Sequence, residues 1–162
     1  MPITLLRHAS PNKKYQRRYL GYSDVSIDKS LFDMDKVEFL KEKKFDLVYA
    51  SLLKRTSQTV ELLGFKPIKD KRLNEVKFKD EIELKNFAEV EKLKSYKKEY
   101  LENLETWHSY VCSESIDDFR SKIESFMSEL PKDKEILICT HAGVLREIVG
   151  KNMDYLESYE LR

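Results

Sequence analysis

Two of the three histidines follow short apolar runs directly: His8 comes after ITLLR and His141 after ILICT. Arg7 stands beside His8, and Thr140, Ala142 and Gly143 surround His141. A third polar stretch, SLLKRTSQT with Arg55, follows the apolar run FDLVYA. Two imidazoles and two guanidiniums in one place suit a phosphoryl group. An arginine fork matches phosphate oxygens bidentately. A neutral imidazole is a nucleophile toward phosphorus, and positive charge around it lowers its pKa. If the residues after His141 open a helix, they add free N–H groups and positive potential. Paired histidines can also bind a metal. Here two arginines would repel a cation, and no carboxylate or Cys sits at ligand spacing. Phosphate chemistry without metal or cofactor is the expectation. His108 has no comparable neighbours and reads as a structural or solvated group.

These side chains meet only if their strands lie together. Residues 3–6, 45–50 and 135–139 are short apolar runs and read as strands. Between them lie helical periods. Leu31, Met34, Val37 and Leu40 predict a helix over 30–43. Leu53, Thr56, Val60 and Leu63 predict one over 52–63, stopped by Gly64. Residues 66–78 read as short extended pieces. Over 83–110 apolar residues recur at threes and fours, from Leu84 to Trp107, predicting one long amphipathic helix or two shorter ones. Its Lys and Glu alternate, which describes a solvated face better than a nucleic-acid surface. Ile116 to Leu130 form a further helix closed by Pro131, and residues 144–149 a short one. The predicted class is α/β: three layers, α/β/α, around a mainly parallel sheet. In such sheets ligands bind beyond the carboxyl ends of the strands, where Arg7, His8, Arg55 and His141 would lie.

Length and composition fit this reading. A chain of 162 residues suits a single domain. Thirty Lys and Arg against 29 Asp and Glu argue against general nucleic-acid binding. Cys112 and Cys139 form no disulfide framework. The start has no basic segment ahead of its apolar run, and no apolar stretch reaches the roughly 18 residues of a membrane span. A cytoplasmic location is expected, with no membrane partner.

The chain resembles the histidine phosphatase superfamily, also called the phosphoglycerate mutase-like fold. LLRHAS is similar to its Arg-His-Gly signature, with Ala9 in the glycine position. RYLGYSDVSI resembles the Arg-x-x-Gly-x-x-Asp segment that follows. YASLLKRTSQT matches Ser-x-Leu-x-Arg-x-x-Gln-Thr through Ser51, Leu53, Arg55, Gln58 and Thr59. Arg72 to Glu75 resembles the segment carrying the family's acid. SESIDDFRSKI is similar to a Gly-Glu-Ser helix start, with Ser113 for Gly, and ICTHAGVLRE to the second-histidine motif.

The resemblance implies roles. His8 would accept the phosphoryl group, and Arg7 and Arg55 would hold its oxygens. His141 would donate to the equatorial oxygens and so both bind phosphate and assist catalysis. Glu75 would protonate the leaving oxygen and then activate water, with Glu81 and Glu83 as alternatives because KDEIE replaces the usual sequence after the acid. Lys14 stands where many members carry Asn. Lys14, Arg18, Gly21 and Tyr22 are the substrate-loop candidates. Residues 83–110 would form a helical cap. The small phosphatase branch that includes α-ribazole phosphatase is the nearest in pattern. That implies hydrolysis of a small phosphorylated metabolite by a monomer or homodimer, with α-ribazole 5′-phosphate the leading substrate. A protein phosphohistidine phosphatase and a mutase-like enzyme are the alternatives within the enzyme class. A non-catalytic phosphate-binding module is the alternative outside it.

Overall fold

The computed structural model describes residues 2–162. Five strands form one sheet: β1 (Ile3–Arg7), β2 (Leu47–Ala50), β3 (Ile68–Lys69), β4 (Ile136–Thr140) and β5 (Ser158–Leu161), in the order β3-β2-β4-β1-β5. β1 to β4 run parallel, and β5 lies antiparallel on β1. Six helices accompany them: α1 (Glu38–Lys41), α2 (Lys54–Leu62), α3 (Phe87–Val90), α4 (Leu104–Val111), α5 (Ile116–Ser128) and α6 (Ala142–Val149).

Side chains alternate across a strand, so each strand feeds two cores. Leu6, Val48, Leu137 and Cys139 pack with Val37, Leu40 and Val60 on the α1 and α2 side. Leu5, Ile136 and Ile138 pack with Phe126, Leu130 and Leu145 on the α5 and α6 side. The three expected layers follow from this. A third cluster, with Val76, Val90, Tyr110, Val111 and Phe119, lies among α3, α4 and α5.

Three local expectations need correction. Residues 30–43 are not one helix. They form 3₁₀ turns at Lys29–Leu31 and Met34–Lys36 and then α1. Asp28 and Asp33 accept bonds from the N–H groups of Ser30 and Asp35, and such side-chain bonds compete with a continuous helix. Of the two readings of residues 83–110, the single long helix fails: the segment is two short helices, α3 and α4, with a 3₁₀ turn at Lys98–Leu101 between them. The rings of Tyr100 and Tyr110 stack at 4.6 Å. A continuous helix would set their backbones about 15 Å apart along its axis. The periodicity is real, but the chain doubles back to bring its aromatic residues together, and Asn86 and Asn103 cap the two restarts. Finally, β5 has no counterpart among the expected strands: SYEL is short, mixed and on the sheet edge.

The parallel register sets the site. Arg7 is level with Thr140, and Ala50 with Cys139. His8, Ser51 and His141 therefore leave the sheet at one edge. Among the described residues no helix is long and apolar enough to cross a membrane.

Candidate active site

His8 is buried, and its Nδ1 lies 2.7 Å from the carbonyl oxygen of Ala9. A carbonyl only accepts, so Nδ1 carries the proton and Nε2 keeps its lone pair. The Ala9 N–H donates to Thr59 Oγ1 at 2.9 Å, and Thr59 Oγ1 donates to the Arg55 carbonyl. The backbone beside His8 is thus tied to α2. The methyl group of Ala9 packs in the core with Leu6 and Leu137, away from the cleft. Its φ is not positive, so the position that resembles a family glycine accepts alanine without strain.

His141 is fully buried, its ring 5.1 Å from that of His8. Its Nε2 lies 2.8 Å from Ser51 Oγ. Its Nδ1 is buried without a protein partner. So are Nε of Arg7 and Nε of Arg55. Buried polar atoms are seldom left unpaired, and three around one histidine mark a place for an acceptor-rich group.

The two arginines differ. Arg7 borders the cleft and donates from Nη1 to the Met153 carbonyl at 2.7 Å. Arg55 lies beneath it, wholly buried. Its terminal nitrogens donate to the carbonyls of Ser23, Leu20 and Gly21 at 2.9, 3.3 and 2.8 Å. Arg55 supplies charge from below and ties down residues 20–23, leaving Nε uncommitted. Burial outweighs the attraction of Glu75, Glu83 and Asp24 and pushes its pKa down to about 10.

Glu75 is buried at the cleft wall. Oε2 accepts from the Gly143 N–H in the first turn of α6 at 3.1 Å, and Oε1 from the Val76 N–H at 3.0 Å. Its segment is anchored on both sides: Thr140 Oγ1 donates to the Leu73 carbonyl at 2.7 Å, and Asn74 Oδ1 accepts from the Leu52 N–H at 2.9 Å. Glycine at 143 leaves room for this carboxylate: a Cβ there would collide with Oε1 and approach Cδ to 3.1 Å, so a larger residue would displace Glu75. Glu81 and Glu83 are elsewhere. Glu81 meets Ser95, and Glu83 accepts from the N–H groups of Gly21 and Ser23. Neither lines the cleft.

The cleft holds about 300 Å³. Of the loop candidates only Arg18 borders it. Arg18 is also engaged by the Leu84 carbonyl at 2.9 Å and by Glu89 at 3.0 Å. Lys14 is exposed and points over Tyr15, Tyr22 packs near Lys77, and neither lines the cleft. Gly21 is a packing position: a Cβ would stand 2.7 Å from the Val76 carbonyl oxygen. Of the four substrate-loop candidates, the structure thus brings only Arg18 to the cleft lining. Of the two readings of His108, structural and solvated, the structure agrees with the first. The side chain is buried in the cleft wall, with Nε2 donating to the Glu114 carbonyl at 2.9 Å. Tyr155 also lines the cleft but lies in no motif at a strand end, and Arg146 lines it from within ICTHAGVLRE, where the histidine and not the arginine drew the reading.

Against this geometry the comparisons are direct. A family model described as histidine phosphatase superfamily (branch 1) matches residues 3–158. The chain belongs to the histidine phosphatase superfamily. The human "6-phosphofructo-2-kinase/fructose-2,6-bisphosphatase 3" is 30% identical over 156 residues, covering 94% of this chain and 29% of that protein. The yeast (Saccharomyces cerevisiae) "fructose-2,6-bisphosphatase" is 27% identical, covering 94% and 34%. The chain thus spans about a third or less of the length of these relatives. Among solved structures, a phosphoglycerate mutase from Thermus thermophilus superposes with a TM-score of 0.71 at 22% identity, covering 99% of this chain and 92% of that one. This last likeness concerns the fold.

The electrostatics of the two histidines give a first prediction. Burial, and then the Arg55 and Arg7 charges, hold His8 well below the ordinary histidine range. Burial, then Arg55, His8 and Arg7, do the same to His141. Both protonate near pH 6.5 in the unfolded chain. Below about that pH the unfolded state binds more protons, so their contribution to stability is lost as pH falls. The slope reaches about 1.4 kcal/mol per pH unit for each histidine. Thermal unfolding without phosphate should show Tm falling between about pH 6.5 and 5, above the range where carboxylates titrate. The slope should be shallower in His8→Gln; an unchanged slope contradicts the assignment.

Proposed function

We propose that the chain is a metal-independent phosphomonoester hydrolase working through a phosphohistidine on His8. The observation that carries this is the Nδ1–Ala9 bond, which fixes the tautomer with Nε2 free. In the proposed scheme Nε2 attacks phosphorus and the bond to the leaving oxygen breaks. Arg7, the positive field of Arg55 and the Nδ1 side of His141 stabilise the charge on the equatorial oxygens. When the Ser51 hydroxyl donates to His141 Nε2, the His141 proton sits on Nδ1 and can be donated. Glu75 gives a proton to the leaving oxygen, then takes one from the water that hydrolyses the phosphohistidine. His8 is released unchanged.

The leaving group would meet Tyr19, Phe78, Leu104, Trp107 and Val111, a largely apolar and aromatic wall. This supports a substrate with a flat apolar portion, such as α-ribazole 5′-phosphate, over a simple polyol phosphate. One observation favours a second reading. Arg146 stands at the rim, its Nε held by Asn152, and would suit a second anionic group such as that of fructose 2,6-bisphosphate. Initial rates on a panel including α-ribazole 5′-phosphate, fructose 2,6-bisphosphate, phosphoglycerates and phosphohistidine protein test both. The first should give the highest kcat/KM, with EDTA without effect. Its binding should also perturb the emission of Trp107, the only tryptophan. A higher kcat/KM for fructose 2,6-bisphosphate would overturn the leaving-group assignment. Phosphate binding without turnover of any ester would mark a binding module instead.

A further inference from the structure

The C-terminal segment reaches the cleft, and no step above uses it. It grips Arg7 from several sides. The Arg7 N–H donates to the Glu157 carbonyl at 3.0 Å, and the Leu156 N–H donates to the Arg7 carbonyl at 3.1 Å. Nη1 of Arg7 donates to the Met153 carbonyl at 2.7 Å. The ring of Tyr155 lies against the guanidinium, 4.0 Å from its central carbon, and 5.8 Å from the ring of His8. Leu156 takes a left-handed φ of 61°, unusual for a branched side chain, while its side chain is buried in the core with Leu6. That turn sets Leu156 into the core and Tyr155 onto Arg7 in successive positions.

We propose that Tyr155 is a positioning residue for phosphoryl transfer. Its ring face holds the Arg7 guanidinium so that the unpartnered Nε stays available to the phosphoryl oxygens. The inference rests on the phosphatase reading of His8 and Arg7. Arginine has many rotamers, and a single bond from Nη1 to Met153 leaves the fork free to swing about that contact. An aromatic face removes that freedom without consuming a donor, because the attraction acts on the plane of the cation. A hydrogen-bonding residue in its place would compete with phosphate for the N–H groups. The same ring shields the fork from water, which strengthens its pull on a bound anion.

The test uses p-nitrophenyl phosphate hydrolysis, inhibition by orthovanadate, and Tm. Tyr155→Leu should lower kcat/KM and weaken vanadate inhibition, each by about tenfold. Tyr155→Phe, which keeps the ring face, should restore both to within about threefold. In an Arg7→Lys background, Tyr155→Leu should cost less than about twofold more, because its effect passes through the guanidinium. Should Tyr155→Leu fail to fold, phenylalanines of increasing ring fluorination placed at the position weaken the ring's attraction while keeping its shape. Vanadate affinity should then fall step by step. A Tyr155→Leu protein with lower Tm but unchanged vanadate inhibition overturns the inference. So do full additivity with Arg7→Lys and indifference to fluorination. If the wild type shows neither turnover nor vanadate inhibition, the phosphatase reading itself fails, and the inference with it.

Discussion

His8→Ala is expected to reduce phosphomonoester hydrolysis by at least about 10⁴-fold while leaving phosphate binding in place. The expectation comes from the division of labour in the cleft. In the proposed scheme Arg7, Arg55 and His141, each with an unpartnered buried nitrogen, supply the charge and donors for the anion without His8. His8 supplies only the lone pair at Nε2. Burial, Arg55 and Arg7 hold the His8 pKa well below the ordinary range, so the ring is neutral and its removal takes no charge from the cleft. Phosphate affinity measured by calorimetry should therefore stay within about threefold of the wild type. Activity lost together with phosphate binding would point to a collapsed site. Activity retained would remove the nucleophile assignment.

The second large effect concerns Glu75, and it should depend on the leaving group. Glu75→Gln keeps the size of the side chain and an oxygen to accept from Gly143 or Val76, but it cannot give or take a proton. For an alkyl phosphate the alkoxide needs protonation as it departs. The rate should then fall by about 10² to 10⁴-fold. p-Nitrophenolate leaves unaided, so phosphorylation of His8 should survive. The second step still needs a base for water and should stall. Rapid mixing of Glu75→Gln with p-nitrophenyl phosphate should thus give a burst of one p-nitrophenolate per active site and then slow turnover. Alkyl phosphates should show no burst. Equal losses on both substrates, without a burst, would place the proton transfer on another group. Glu81→Gln and Glu83→Gln should leave the burst absent, as neither carboxylate faces the cleft.

The parts of this architecture legible in sequence are those with dense local signals. β1, β2 and β4 are continuous apolar runs because both faces of the sheet are covered, and Gly64 ends α2 with a positive φ. The polar residues that follow those strands are visible for the same reason: they interrupt apolar runs abruptly. The parallel register then brings His8, Ser51 and His141 to one edge. What stays hidden depends on distant contacts. Stacking of Tyr100 on Tyr110 folds back a segment whose spacing alone reads equally as one helix or two. Lys14 and Tyr22 share a basic, aromatic stretch with Arg18, yet the bonds from Arg55 and to Glu83 fix that loop so that, of these three, only Arg18 reaches the cleft. Tyr155 sits in no motif at a strand end. It comes to Arg7 because β5 turns antiparallel beside β1, a pairing that four mixed residues at a sheet edge do not announce. Glu75 is one of three glutamates in a short stretch. The glycine at 143 singles it out, since only there does the start of a helix approach closely enough to seat a carboxylate.

The most direct measurement is to trap the covalent intermediate. The protein is mixed with p-nitrophenyl phosphate, quenched in alkali within the burst of Glu75→Gln, digested and analysed by mass spectrometry. A single phosphoryl group should appear on the peptide containing His8, stable to alkali and lost in mild acid, as expected of phosphorus bound to imidazole nitrogen. Phosphate on any other residue, or full turnover with no modified peptide and direct attack by water, would contradict the account.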